Sequence, residues 1–280
     1  MNPEMKSQNP SNNHKGLEMY FSPEITEKFA EHEQNEKNFK VAQIVDTILL
    51  QESTDLKTPI YSAELGGGAH PDRYDEFFNK LANEHGHMDW VDVAPLMLEL
   101  AKKYISNEKY QNRKDVITFV KSEILEYLRG LENEKLDLTI MKYTIDHIDN
   151  LGMLFELLSE KLTQSGKLIA TIGSTSPELK SYSTNARYLY NGEQFPDNET
   201  RTLKDGDNFT VKFFKVSGNP NAGYIEGAET LKYFHSAEKI KQLAESYGFD
   251  FFLGDWKDFV SQENQKGETM NQDVLVLTKK

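Results

Sequence analysis

The chain of 280 residues contains no cysteine. Disulfide scaffolds, thiolate metal sites and cysteine nucleophiles are therefore excluded. Positive charge is scarce: 32 Lys and Arg stand against 45 Asp and Glu, a formal net of -13. A broad nucleic-acid surface needs clustered Lys and Arg to neutralise phosphates, so this balance argues against one, though not against a local basic pocket. No apolar run approaches the ~18 residues of a membrane span. The first sixteen residues lack the apolar stretch of a secretory signal. The expectation is a soluble, cytoplasmic protein with no membrane contact. The apolar fraction of 38% lies below the ~45–50% of an average globular chain. Even so, 16 Phe, 13 Tyr and 2 Trp supply one sizeable core with a polar periphery, in two domains or one large one.

Residues 1–16 are rich in Asn, Pro, Ser and Lys and read as a disordered tail. A helical region is expected over 17–56, where Val41, Ile44, Val45 and Ile48 share one helix face. Short apolar runs then alternate with amphipathic helices. The runs are 59–65, 88–92, 116–120, 136–141 and 167–172. The helices repeat one stripe at i, i+3, i+4, i+7: Tyr74, Phe77, Phe78 and Leu81; Met97, Leu100, Ala101 and Tyr104; Leu151, Leu154, Phe155 and Leu158. Such alternation predicts an α/β fold with a doubly wound, mostly parallel sheet covered on both faces. Residues 176–232 break the rhythm with tyrosines and turn signals such as Asn191-Gly192, and read as an inserted lid. A helix capped by Ser236 then leads to two last runs, 249–253 and 273–277. No helix of comfortable length separates them, so they are expected to be antiparallel, giving seven strands. The core is thus 57–175 together with 233–280.

The segment Glu64-Leu65-Gly66-Gly67-Gly68-Ala69-His70 follows the first run directly. A doubly wound sheet binds ligands there, at the carboxyl ends of its strands. A dinucleotide pattern counted from Gly66 would need glycine at 71, where Pro71 stands, and the Gly-Lys-Ser/Thr of a phosphate loop is absent. What remains is a glycine turn preceded by an acid, which suits a cationic ligand and repels phosphates. Asp92 ends the second run. It is placed either to accept two ribose hydroxyls or to cap the helix that follows. Glu123, just past the third run, can reach an adenine amino group. His85 and His87 flank Gly86 with no third ligand nearby, so no metal site is expected.

In this order the segments resemble those of class I S-adenosylmethionine-dependent methyltransferases. The likeness is carried by 63–68, 91–103, 120–123, 136–148, 162–168 and 233–249, and covers 58–280 apart from the insertion. It implies a Rossmann-like methyltransferase fold with S-adenosyl-L-methionine as cofactor. Glu64 would meet the methionine amino group, Gly66, Gly67 and Gly68 would let the cofactor lie on the backbone, and Asp92 with Val93 would sit at the ribose. Ser122 and Glu123 would border the adenine. Lys142 would line the methionine side, with Tyr143 and Thr144 facing the acceptor. Two features depart from the family: His70 stands at its third glycine, and the 28 residues from Glu64 to Asp92 are a long gap for this fold.

The implied reaction is in-line transfer of a methyl group to O or N of a small-molecule acceptor. The cofactor supplies the electrophile, and a base is needed only where the nucleophile carries a proton. His147, with Asp146 beside it to orient it, is the candidate base, or else a histidine packed under the insertion. Tyr143 either orients the acceptor or is a plain wall residue. The fourth motif reads Met141-Lys142-Tyr143-Thr144 rather than Asn-Pro-Pro-Tyr, which sets aside amino methylation of DNA bases and glutamine. Two alternatives stay open. An RNA cap guanine-type methyltransferase is suggested by a faint likeness at 207–213 and 223–229. A non-catalytic, cofactor-binding regulatory subunit is suggested by His70.

Overall fold

The computed structural model describes residues 18–33, 36–106, 113–173, 175–183, 185–216, 218–259 and 273–280. The tail expected over 1–16 lies outside them. Two helices, α1 (Pro23–Glu33) and α2 (Glu36–Glu52), precede the sheet. Alternation then runs β1 (Tyr61–Leu65), α3 (Asp75–Asn83), β2 (His87–Asp92), α4 (Pro95–Ile105), β3 (Ile117–Lys121), α5 (Ile124–Gly130), β4 (Leu136–Lys142), α6 (Leu151–Lys161) and β5 (Leu162–Ile172). The insertion contributes β6 (Glu178–Lys180), β7 (Ala186–Tyr190), β8 (Thr200–Thr202), β9 (Asn208–Phe214) and β10 (Tyr224–Tyr233). The chain closes with α7 (Ala237–Ser246), β11 (Phe249–Asp255) and β12 (Asp273–Lys279).

Seven strands form one sheet in the order β3-β2-β1-β4-β5-β12-β11. β1 to β5 are mutually parallel, and β12 runs antiparallel to both of its neighbours. The antiparallel ending expected from the short 253–273 connection is present. Successive strand residues point to opposite faces, and the two faces carry separate apolar layers. Trp90 packs with α2, α3 and part of α4, while Val91 packs with α5, α6 and α7. The stripes at Tyr74, Phe77, Phe78 and Leu81 and at Leu151, Leu154, Phe155 and Leu158 are buried as periodicity required.

The stripe on α4 needs correction. Leu98, Ala101 and Ile105 face the sheet, whereas Met97, Leu100 and Tyr104 turn toward the N-terminal segment. The helix is covered on two sides, so its apolar arc is wider than one stripe. Pro95 opens it, where a missing N–H costs no helical bond. Ser236 caps α7 by accepting from the Lys239 N–H.

Within the insertion, β10, β9 and β7 form an antiparallel sheet, and β6 pairs with β8. Phe209, Val211 and Phe213 share one face of β9. Tyr190, Tyr188 and Ala186 stand opposite them on β7, and Lys232 and Thr230 stand opposite Phe209 and Val211 on β10. The three-residue β6 and β8 carry too little pattern to be read from sequence. α1 lies across β10 and α4. Gly227 has φ +76, and a Cβ built there would stand 2.4 Å from the Ile25 side chain, so the helix seats on bare backbone. Among the described residues no helix is long and apolar enough to cross a membrane.

Candidate active site

The glycine turn is held by backbone bonds. Gly66 and Gly67 both donate their N–H to the Val91 carbonyl, at 2.8 and 2.9 Å. The Gly68 N–H donates to Asp92 Oδ2 at 2.8 Å, and Asp92 Oδ1 accepts from the Ala94 N–H at 2.8 Å. Trp90 Nε1 donates to the Gly68 carbonyl at 2.9 Å. Gly66 and Gly68 sit at φ +77 and +64, in the left-handed region that disfavours a side chain. A Cβ on Gly67 would lie 2.4 Å from the Trp90 ring. Asp92 therefore steadies the start of α4 and also shapes the turn. Ser122 donates its N–H to the Asp92 carbonyl at 3.2 Å, which brings Ser122 and Glu123 to the same carboxyl edge. Val93, half-buried, lies between Asp92 and Ala94.

Glu64 is wholly buried. Its Oε1 accepts from the Tyr74 hydroxyl at 3.4 Å, while Oε2 has no hydrogen-bond partner. Burial pushes the carboxyl up to about 8, against the pull of the Lys142 ammonium, the Lys142 N–H and the Tyr74 hydroxyl. At pH 7 this carboxyl is mainly protonated, and its unpartnered oxygen is held at a cost. A cationic amino group would satisfy it.

At the end of β4, Tyr143 adopts φ +60 and donates its N–H to Thr171 Oγ1 at 2.9 Å. The Lys142 ammonium lies 5.2 Å from the Tyr143 ring centroid. Thr144 packs on Gly66, where a Cβ would stand 2.5 Å from the Thr144 methyl. The glycine turn and the β4 turn are thus interlocked, and a cavity of about 590 Å³ begins at Tyr143. Its floor is Tyr143, Asp146, His147, Ile172 and Gly173, from the turns after β4 and β5. Its roof is the face of the insertion that carries Tyr188, Phe209, Val211, Phe213 and Lys232. Tyr20, Phe29 and Val41 close one side.

His147 Nδ1 lies 2.9 Å from the Leu231 carbonyl. A carbonyl only accepts, so Nδ1 carries the proton and Nε2 is the unprotonated nitrogen. Desolvation, aided by the Lys232 ammonium, brings the imidazole down to about 4. It is neutral at pH 7. Asp146 does not hydrogen-bond to it, contrary to what their adjacency suggested. That carboxylate accepts from the Gly173 N–H at 3.2 and 3.3 Å and pairs with Lys232 Nζ at 3.2 Å. The backbone carbonyl of Leu231 orients the imidazole instead.

No protein-family model matches the sequence, and no curated protein matches it. Solved structures do. Magnesium protoporphyrin IX methyltransferase from Synechocystis PCC 6803, solved with bound S-adenosylmethionine, superposes with a TM-score of 0.56 at 12% identity, covering 98% of this chain and 100% of that one. An S-adenosylmethionine-dependent methyltransferase from Clostridium acetobutylicum gives 0.53 at 16% identity, covering 90% and 98%. The fold is that of class I S-adenosylmethionine-dependent methyltransferases.

On this methyltransferase fold, the residues singled out from sequence fall into two groups. Glu64, Gly66, Gly67, Gly68, Asp92, Val93, Ser122 and Glu123 gather around the ends of β1, β2 and β3. Tyr143 and His147 line the cavity, and Lys142 stands between the groups. The unpartnered Glu64 oxygen, the close-approach glycines and the strand-end Asp92 fit a cofactor with an amino group and a ribose. Sequence reasoning missed Tyr20, Phe29 and Val41, whose only local signal is an apolar helix face. It also missed His235, whose Nε2 lies 2.9 Å from the Ile148 carbonyl at the cavity edge. Among the described residues, no group of three His, Asp or Glu is placed to hold a metal.

Proposed function

We propose that the protein is a methyltransferase that uses S-adenosyl-L-methionine to methylate an oxygen or nitrogen of a small-molecule acceptor. One observation carries this reading: the Tyr143-Thr144 turn joins the glycine turn to a partly open cavity. A cofactor seated at the first faces an acceptor in the second. When bound, the cofactor supplies a methyl carbon activated on a sulfonium.

The protein's own part is to hold and to exclude. Ionised Glu64 would take the amino group, Gly66, Gly67 and Gly68 would present backbone, and Asp92 beside Val93 would accept ribose hydroxyls. Ser122 and Glu123 would border the adenine. Lys142 and Tyr143 would wall the methionine side. Residues 176–232 would serve as an acceptor lid on a core of 57–175 and 233–280, with 17–56 completing its wall. The cavity walls would position the acceptor and limit its contact with water. His147 Nε2 would take the proton of an O–H or N–H nucleophile.

Calorimetric titration tests the reading. S-adenosylmethionine is expected to bind the intact chain, and Asp92→Ala to abolish the heat. No binding by the unaltered protein at high micromolar concentration sinks the methyltransferase reading. Against the RNA cap alternative, which rests on the likeness at 207–213 and 223–229, the cavity's Lys180 and Lys232 are accompanied by Glu178 and Asp146. Transfer of a labelled methyl group to cell RNA rather than to cell metabolites would restore it.

A further inference from the structure

The cavity walls carry a chemical preference. Tyr188, Phe209 and Phe213 come from one face of the β7-β9-β10 sheet, and Tyr20 and Phe29 meet them from the N-terminal segment. Phe29 and Phe213 are tilted with centroids 4.9 Å apart, and Tyr188 meets Phe209 edge-on at 5.7 Å. Aromatic walls in such arrangements favour a flat π-system by more than their buried area alone. The charged lining residues balance in number: Lys232 is paired with Asp146 at 3.2 Å, and Glu178 and Lys180 sit at the two ends of β6. An anionic acceptor would meet two carboxylates, and a cationic one two ammonium groups. The remaining feature is neutral His147, whose Nε2 can accept a proton but whose Nδ1 is committed to Leu231.

Resting on the methyltransferase reading, we infer that the acceptor is an uncharged aromatic alcohol, a phenol carried on a flat ring system. A cavity of about 590 Å³ falls in the range that encloses drug-sized ligands of roughly two or three rings. Phenols also suit the base. The imidazole's low proton affinity makes it weak toward an aliphatic hydroxyl, while a phenolic proton is far more readily shared. The phenolic oxygen forms the new C–O bond with the methyl carbon, the electron pair of the broken C–S bond stays on sulfur, and the phenolic proton passes to His147 Nε2.

Three probes vary the ring and the polar group: naphthol, naphthoate, which exchanges the neutral hydroxyl for a carboxylate, and decahydronaphthol, which keeps the hydroxyl and loses the flat ring. Each is titrated calorimetrically into the cofactor-free protein, so the outcome is independent of whether S-adenosylmethionine binds. The expected result is naphthol binding about tenfold or more tighter than either analogue. Tyr188→Leu and Phe213→Leu should remove that advantage without weakening decahydronaphthol. With methyl-labelled S-adenosylmethionine present, the label should appear on the naphthol oxygen. Equal binding of decahydronaphthol, preference for naphthoate, or no binding of any probe overturns the inference. So does bound naphthol that stays unlabelled while the cofactor binds. Failure of S-adenosylmethionine itself to bind overturns the methyltransferase reading instead.

Discussion

The glycine turn, packed on Thr144, and the roof over the cavity floored by Tyr143 are built by opposite means. The turn is made of backbone: N–H groups of three successive glycines donate to Val91 and Asp92, and the indole beneath leaves no room for a methyl group. The roof is made of side chains on a small antiparallel sheet, where Tyr188 meets Phe209 edge-on and Phe213 packs against Phe29 of α1. Backbone bonds tolerate almost no substitution at the glycines but are indifferent to most neighbours. Ring packing tolerates exchange of one apolar residue for another at modest cost. On the proposed function, the part that would meet the cofactor is therefore rigidly specified, and the part that would meet the acceptor is free to vary.

Substitutions can break this contrast in graded steps. Gly67→Ala should do most, because its new methyl collides with a fully buried Trp90. We expect a loss of about 2–4 kcal/mol in denaturant unfolding, with cofactor binding abolished. Asp92→Ala strips acceptors from two backbone N–H groups. It should cost about 2–3 kcal/mol by the same measurement.

Glu64 gives a pH signature. Only its ionised form holds an amino group, so affinity for S-adenosylmethionine should rise by up to about tenfold per pH unit and level off above about 8. Glu64→Gln should flatten that profile in calorimetric titrations. The folded carboxyl binds its proton more tightly than the unfolded one, whose ordinary value is 4.5. Ligand-free protein should therefore lose stability as pH rises from about 4.5 to about 8, and the Gln variant should lose less, since Asp46, raised by burial to about 6, still contributes at the lower end. At the mild end, Phe213→Leu should cost about 1 kcal/mol or less and leave cofactor affinity unchanged. A large effect of Phe213→Leu on the cofactor would erase the contrast.

Legibility followed the same division. The glycine turn, Asp92 and the strand–helix rhythm are contiguous in sequence, and periodic burial announces them. His147 is also local, but its partner Leu231 lies 84 residues on, so adjacency to Asp146 pointed to the wrong orienting group. The α4 stripe misled because a helix sandwiched between two layers needs a wider apolar arc than one stripe describes. Tyr20 and Phe29 carry no motif at all, since their place at the cavity comes from how α1 and the short turn before it pack on β10. The roof was readable only as one β-like run at 209–214, because its other strands are half-exposed and interrupted by turns.

The seat of α1 has a practical consequence for handling the protein. Met19, Phe29 and Ala30 cover Ala69, Ala94, Met97, Ile225 and Ala228 in one apolar cluster. A version shortened past Glu33 would bare all five together, beside the half-buried Phe213. Contiguous apolar surface of that kind drives self-association. Such a truncation should express as aggregate rather than as a trimmed monomer, and size-exclusion chromatography of the shortened chain would show it.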